Sequence, residues 1–421
     1  MKTITQIKKH AAFGAVFTLA KATVYFVPLF LADVLSNADF GVLEYALAGL
    51  GMVVNTIINL GVPGAYPYFV LREKRLELQS SFNLHAIILL IPFVINQVLF
   101  FFLQLDINFY LAFNVSYIIA NQVFYSVQLK SHEKSVAAVI LDSGVYIVLL
   151  FYYILSLLGL VEISIKAVNI FVALYCLIYV FYGIYNFLKH KAQISFTKYR
   201  TILKFSLHIL ISTFLIFLIT TSGRILVEYF FDFQTVGVYA FYFRLAAVVV
   251  MIYQVINITF FKKIYTLDPL ILDRYYYLFF IFIYLLSIIV YFVAPYFIGY
   301  VSNYFNETYL INKSVYFLLS AQMVMWIASA LNSNIIDRES LAPKNNIKFL
   351  GLLFIAFFAL YFLRDQLDLQ TLVLLHYSVI SVACLIQFYS LYQKQIKFKK
   401  SIISIVAMYV LTISYYFIVF N

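Results

Sequence analysis

The chain has 421 residues, of which 64% are hydrophobic, 20% aromatic and only 11% charged, with a formal net charge of +11. No water-soluble core needs that much apolar surface, and apolar runs of about 20 residues, the length that crosses ~30 Å of hydrocarbon, recur from end to end. The runs do not alternate polar with apolar residues, which excludes a transmembrane β-barrel and predicts an all-α polytopic membrane protein.

The N-terminal "MKTITQIKKH" is basic and leads into "AAFGAVFTLA", the pattern of a signal peptide. The apolar run continues past Lys21 to Ala32, long enough to span, so we read it as a retained first helix. Twelve further spans are expected after it. The thirteen run 11–32, 41–62, 83–104, 107–129, 136–158, 166–188, 205–230, 235–261, 276–300, 311–334, 347–363, 371–393 and 401–420. Pro28, Pro92 and Pro295 fall inside spans and predict kinks.

Lys and Arg set the orientation. With the N-terminus in the cytoplasm, the inner segments carry 23 basic residues and the outer loops only Lys166, Lys313 and Arg364. Lys21, Arg224 and Arg244 lie within spans. The net charge is therefore mostly a cytoplasmic belt that meets anionic lipid, and nucleic acid is not an expected partner.

The chain looks doubled. "FGVLEYALA" follows Asp39 near the start of the second span, and "VGVYAFYFR" follows Asp232 near the start of the eighth. Gly41 and Gly237 are 196 residues apart, a distance of six spans. An even number of spans makes such repeats parallel, related by an axis along the membrane normal. The expected organisation is an N-terminal lobe at 1–188, a basic cytoplasmic linker at 189–204 and a C-terminal lobe at 205–393. A basic loop and an additional helix follow at 394–421.

Several spans carry polar stripes at helical spacing. The first aligns His10, Gly14, Thr18, Lys21, Tyr25 and Pro28, and the second Glu44, Gly51, Asn55 and Asn59. The fourth aligns Asn114, Asn121, Tyr125 and Gln128. The seventh aligns Ser206, Thr213, Thr220, Arg224 and Glu228, the last two at a spacing that permits an ion pair. The eighth contributes Arg244 and the tenth Gln322, Ser329 and Ser333. The third, sixth, eleventh and twelfth are nearly featureless and are expected against lipid.

An ionised group at mid-bilayer costs roughly 2.5–3.5 kcal/mol on insertion scales, so it persists where it faces protein or water. Lys21 has no acidic residue three or four positions away on either side. Asp142, near the cytoplasmic end of the fifth span, is a candidate cation or proton site and equally a structural residue. Ser, Thr and Asn also serve as plain helix–helix glue. Cys176 and Cys384 both lie in spans, so neither a disulfide framework nor a metal site is expected. No phosphate-loop, HExxH or GxSxG motif occurs, and neither a cofactor nor catalysis is expected.

The segments "LSNADFGVLEYALAGLGMVVNTIINLGVPGAYPYF", "SGRILVEYFFDFQTVGVYAFYFRLA" and "NETYLINKSVYFLLSAQMVMWIASALNSNIIDRESLAPKNNIKF" carry a resemblance over roughly residues 1–393. The chain resembles the Wzx-type O-antigen and polysaccharide flippases of the multidrug/oligosaccharidyl-lipid/polysaccharide exporter superfamily. The resemblance implies two six-helix lobes in a V, with the first, second, seventh and eighth helices on a central cavity. It implies a bacterial inner membrane protein that moves a polyprenyl-pyrophosphate-linked oligosaccharide outward by alternating access. A proton or sodium ion is the candidate coupling ion, and a polysaccharide polymerase the candidate functional associate. The substrate-facing residues are then Lys21, Arg224, Arg244, Glu44, Glu228, Asn55, Asn59, Asn121 and Gln322, with Asp142 for coupling. Family members often carry Asp before the Arg of the seventh helix, where this chain has Gly223. Two other readings stand beside it. A drug exporter of the same superfamily would favour an acidic cavity, and a membrane glycan polymerase or ligase usually has a large outer loop.

Overall fold

The computed structural model describes residues 2–254, 268–339 and 341–420, and of these not the side chains of 2–13, 269 and 337. The end of the eighth expected span, 255–261, the Lys262–Lys263 pair and the side chain of His10 lie outside the described residues. Every described element is helical, and no strand occurs among the described residues.

In chain order the helices are α1 (Lys2–Ala32), α2 (Asn37–Ala48), α3 (Leu50–Ile58), α4 (Val62–Pro67), α5 (Leu84–Leu103), α6 (Ile107–Ser131), α7 (Ser135–Asp142), α8 (Gly144–Leu157) and α9 (Ile165–His190). They continue with α10 (Phe196–Thr220), α11 (Gly223–Phe230), α12 (Phe233–Ala247), α13 (Pro269–Ile298), α14 (Asn303–Thr308), α15 (Lys313–Arg338), α16 (Ala342–Leu363), α17 (Leu369–Tyr392) and α18 (Lys399–Val419). Ten described helices are long and apolar enough to cross a membrane, and the bent pair α7–α8 makes an eleventh. The protein is a multi-pass membrane protein. Helix forms in the described part of every expected span, but the fourth, α6, and the eighth, α12, are not among those ten or eleven.

Among the described residues, four expected spans are not single straight helices, and one of them, the eighth, is interrupted at Val248–Val249, just after α12. The second bends at Gly49, between α2 and α3. The fifth bends by 57° between α7 and α8. The seventh breaks at Thr221–Ser222, between α10 and α11. The stripes projected through these points therefore change direction partway, and Thr213 of the seventh-span stripe is exposed.

The chain divides into two compact units, Met1–Phe214 and Leu215–Asn421, with the boundary inside α10. In the first unit α6 is the centre, touching α2, α3, α5 and α9 as well as α7 and α8. Its sequence explains that place. Ala112, Asn114, Ser116, Ala120, Asn121 and Ser126 are small or polar and all buried, so neighbouring helices approach closely and lipid is kept away. Gly61 adopts a left-handed φ of 71°, and a Cβ there would lie 2.2 Å from the Ser206 carbonyl oxygen. Only glycine allows α10 to pass that close.

In the second unit α15 is the centre, touching α12, α13, α17 and α18, and 89% of its apolar stretch is buried. By contrast only 6% of the apolar stretch of α16 is buried, as befits a helix of Phe, Leu and Ile facing lipid. The twelfth span, expected against lipid, is instead the chief partner of α15. Its Gln387 Nε2 donates to the Ser329 carbonyl and to Ser333 Oγ, and Ser381 and Gln387 are buried. Its buried His376, Ser381, Gln387 and Ser390 give this helix a polar side kept from lipid.

The thirteenth helix, α18, belongs to this unit. Phe398, just before it, offers no capping side chain. Asp273 of α13 does the capping: its carboxylate accepts from the backbone N–H groups of Lys400 and Ser401 at 3.0 and 2.9 Å, and from Ser401 Oγ at 2.7 Å. These are the orphan donors of a helix start, here satisfied by a buried acid from another helix. Tyr284 bonds Thr412 and Ser378 bonds Tyr409 further along.

Candidate functional site

In the first unit, α1 packs on α7 through Phe17, Ala20 and Val139. The small Ala20 lets the helices approach, and the adjoining Lys21, half-buried, comes within Coulombic reach of Asp142 and Lys130. Lys130 Nζ lies 2.6 Å from Asp142 Oδ2. The acid whose charge reaches Lys21 is thus on another span, where its ion pair is with Lys130. Asp142 ends a short helix, where its charge opposes the helix dipole, and two ammonium groups offset that. Beyond it Ser143 is fully buried and makes the bend. Gly144 follows because a Cβ would sit 2.2 Å from Tyr175 Oη and 2.8 Å from Gln122 Nε2.

Glu44 is fully buried, and Asn55 and Asn59 are nearly so. Asn59 Nδ2 donates to Asn55 Oδ1 at 2.6 Å, so this pair partly satisfies itself. Asn121 is buried in α6 and donates to the Tyr117 carbonyl. Asn114 belongs to a network that sequence reasoning missed: Asn96 and Gln97 of α5 both donate to its Oδ1, and Cys176 of α9 donates to its backbone carbonyl. The signal was present in the third span, where Asn96-Gln97 interrupts an otherwise apolar run.

In the second unit, Arg224 is only 2% exposed, and its Cζ lies 4.8 Å from the centroid of the Phe243 ring of α12. A guanidinium over an aromatic face gains electrostatic stabilisation where water is scarce. Glu228 lies one turn on and is half-buried. Arg244, next to Phe243, is 6% exposed. Gly223 has a physical reason: a Cβ there would fall 2.0 Å from Tyr239 Oη and 2.5 Å from its Cζ. The buried Tyr239 ring occupies the space an Asp side chain would need. Gln322 is fully buried in α15, and neither of its amide atoms has a hydrogen-bond partner.

The structure therefore sets Lys21 within Coulombic reach of Asp142 in one unit and lays Arg224 over the ring of Phe243, the chain neighbour of Arg244, in the other. No cluster of three or more His, Cys, Asp or Glu residues suited to a metal occurs among the described residues. No protein-family model, curated protein or solved structure matches the chain.

Proposed function

We propose that the protein is a Wzx-type flippase that carries a polyprenyl-pyrophosphate-linked oligosaccharide outward across a bacterial cytoplasmic membrane. The observation that carries the reading is the set of basic residues held within spans: Lys21 on the first, Arg224 on the seventh and Arg244 on the eighth. Bare pyrophosphate in hydrocarbon would cost on the order of tens of kcal/mol by Born estimates. Membrane-embedded cations offset that charge, and Arg matches phosphate geometry. An inside-negative potential adds ~2.3 kcal/mol per charge per 100 mV to outward movement of an anion.

The six-plus-six organisation draws support from matched neighbours. The fourth span, α6, touches the second, third and sixth, and the tenth, α15, touches the eighth, ninth and twelfth. The match is partial: α6 also touches the fifth span through α7 and α8, and α18 is an addition to the second half. The proposed cytoplasmic N-terminus rests on the 23-to-3 distribution of basic residues. A cysteine in place of the exposed Gln193 should react with an impermeant thiol reagent only after permeabilisation; labelling in intact cells would reverse the orientation.

Arg224 provides the functional test. Arg224→Gln should lose surface glycan in a strain lacking its own exporter. The variant with both Arg224→Gln and Glu228→Gln removes the charge on each side and so avoids stranding a carboxylate. If Arg224 meets the pyrophosphate, the double variant stays defective at normal protein level. Recovery of surface glycan would reduce Arg224 to a clamp on Glu228.

A further inference from the structure

The first unit holds a groove between α5 and α9 that the export reading does not use. Its volume is about 530 Å³. Phe93, Phe100 and Phe101 form one wall, and Ile170, Leu174 and Leu177 the other. Phe101, Ile170 and Leu174 are 68%, 61% and 58% exposed, so the groove opens sideways, where a membrane-spanning helix meets lipid rather than water. Its polar end lies where α5 ends, α6 begins and α9 begins, at one membrane surface.

Four polar residues line that end. Two are already engaged: Tyr110 Oη donates to Gln97 Oε1, and Gln97 Nε2 donates to Asn114. The other two are Lys166 and Asn169. Lys166 is exposed and enters no ion pair among the described residues. Asn169 is 5% exposed, and its Nδ2 donates to the Ile165 carbonyl while its Oδ1 is buried with no partner. A buried acceptor without a donor is costly, so a turn of the Asn169 amide into the groove, toward a group that supplies an N–H or O–H beside an anion, relieves that cost.

We propose that this groove holds one phospholipid, its phosphate on Lys166, a headgroup N–H or O–H on Asn169 Oδ1, and an acyl chain between the Phe wall of α5 and the aliphatic wall of α9. The headgroup class follows from the chemistry. Ethanolamine and glycerol headgroups carry both the phosphate and a donor, whereas choline carries the phosphate but no donor. The ammonium–phosphate contact is charge-assisted. The chain contributes by leaving bulk lipid for a shaped wall, which selects by fit. In the orientation proposed above the lipid belongs to the outer leaflet. The site itself needs only the membrane-spanning fold and is independent of what the protein exports.

Native mass spectrometry of the full chain in detergent tests this, using phosphatidylethanolamine, phosphatidylglycerol and phosphatidylcholine with identical acyl chains. One molecule of either donor-bearing lipid should bind about fivefold or more tightly than phosphatidylcholine, the worth of one hydrogen bond. Asn169→Leu should erase that preference. Lys166→Gln, at an exposed position that does not threaten folding, should weaken all three. Ala173→Phe should fill the groove and remove the bound lipid while thermal unfolding stays unchanged; if it fails to fold, Lys166→Gln and Asn169→Leu still decide. Equal binding of the three lipids by the unaltered protein, or undiminished binding by Lys166→Gln, would overturn the proposal and leave a groove that takes apolar chains without selection.

Discussion

Lys21→Gln is expected to cut surface export about tenfold or more, the scale of one charge-assisted contact to phosphate, while the protein accumulates normally. Accumulation is expected because Asp142 keeps Lys130 at 2.6 Å when Lys21 is gone. Lys21→Arg should retain much of the export, since a guanidinium also pairs with phosphate. Exchange of the two charges separates the roles. A chain with Lys21→Asp, Asp142→Lys and Lys130→Gln keeps one acid and one base between α1 and α7 without setting Lys130 against the new ammonium. If Lys21 serves only as the partner of Asp142, the exchange restores export. If Lys21 receives the pyrophosphate, the exchange leaves export low despite normal protein level, because the ammonium now projects from α7. Full export by Lys21→Gln would refute the electrostatic route through the first span.

Asp273→Ala is expected to loosen the thirteenth helix. It leaves two backbone N–H groups and the Ser401 hydroxyl without their acceptor in a buried place, each worth roughly 1–3 kcal/mol. Loss of the acid also removes a favourable charge from a helix N-terminus, about 0.3–1 kcal/mol. Most of the marginal stability of a domain is at stake. The measurement is the melting temperature of detergent-solubilised protein together with protease sensitivity of the 394–398 loop. A sharp fall in the first and faster cleavage in the second are expected. An unchanged melting temperature would mean that α18 is held by its side contacts, such as Tyr284–Thr412, and not by its capped end.

Much of the fold was legible because hydrocarbon length and helix rise fix the span of an apolar run. The apolar run at 401–420, read as a span from composition, lies on one helix, Lys399–Val419. The breaks were less legible. Gly49 and Ser143 look like ordinary residues of apolar runs, and the bends depend on what lies across from them, such as Tyr175 and Gln122 at Gly144. Periodicity also says nothing of depth along a helix: Ser206 is buried and Thr213 exposed, though both lie on the same side of the unbroken α10. Polar residues of the stripes serve packing: Ser329 and Ser333 receive Gln387, and Asn114 receives Asn96 and Gln97. The Lys21–Asp142 encounter was invisible to helical periodicity, which relates only positions on one helix. Each residue stood out as a charge inside a span, but their proximity depends on the packing of Phe17 and Ala20 against Val139.

The central claim is that this chain moves a lipid-linked oligosaccharide across a bilayer. The direct measurement uses purified protein in vesicles that contain a radiolabelled polyprenyl-pyrophosphoryl oligosaccharide. A membrane-impermeant glycosidase added outside reports which glycans have reached the outer leaflet. The account predicts that the inward-facing glycan becomes accessible over time in vesicles with the unaltered protein. It should stay protected in protein-free vesicles and in those with Lys21→Gln or Arg224→Gln. Identical protection with and without the unaltered protein would contradict the account.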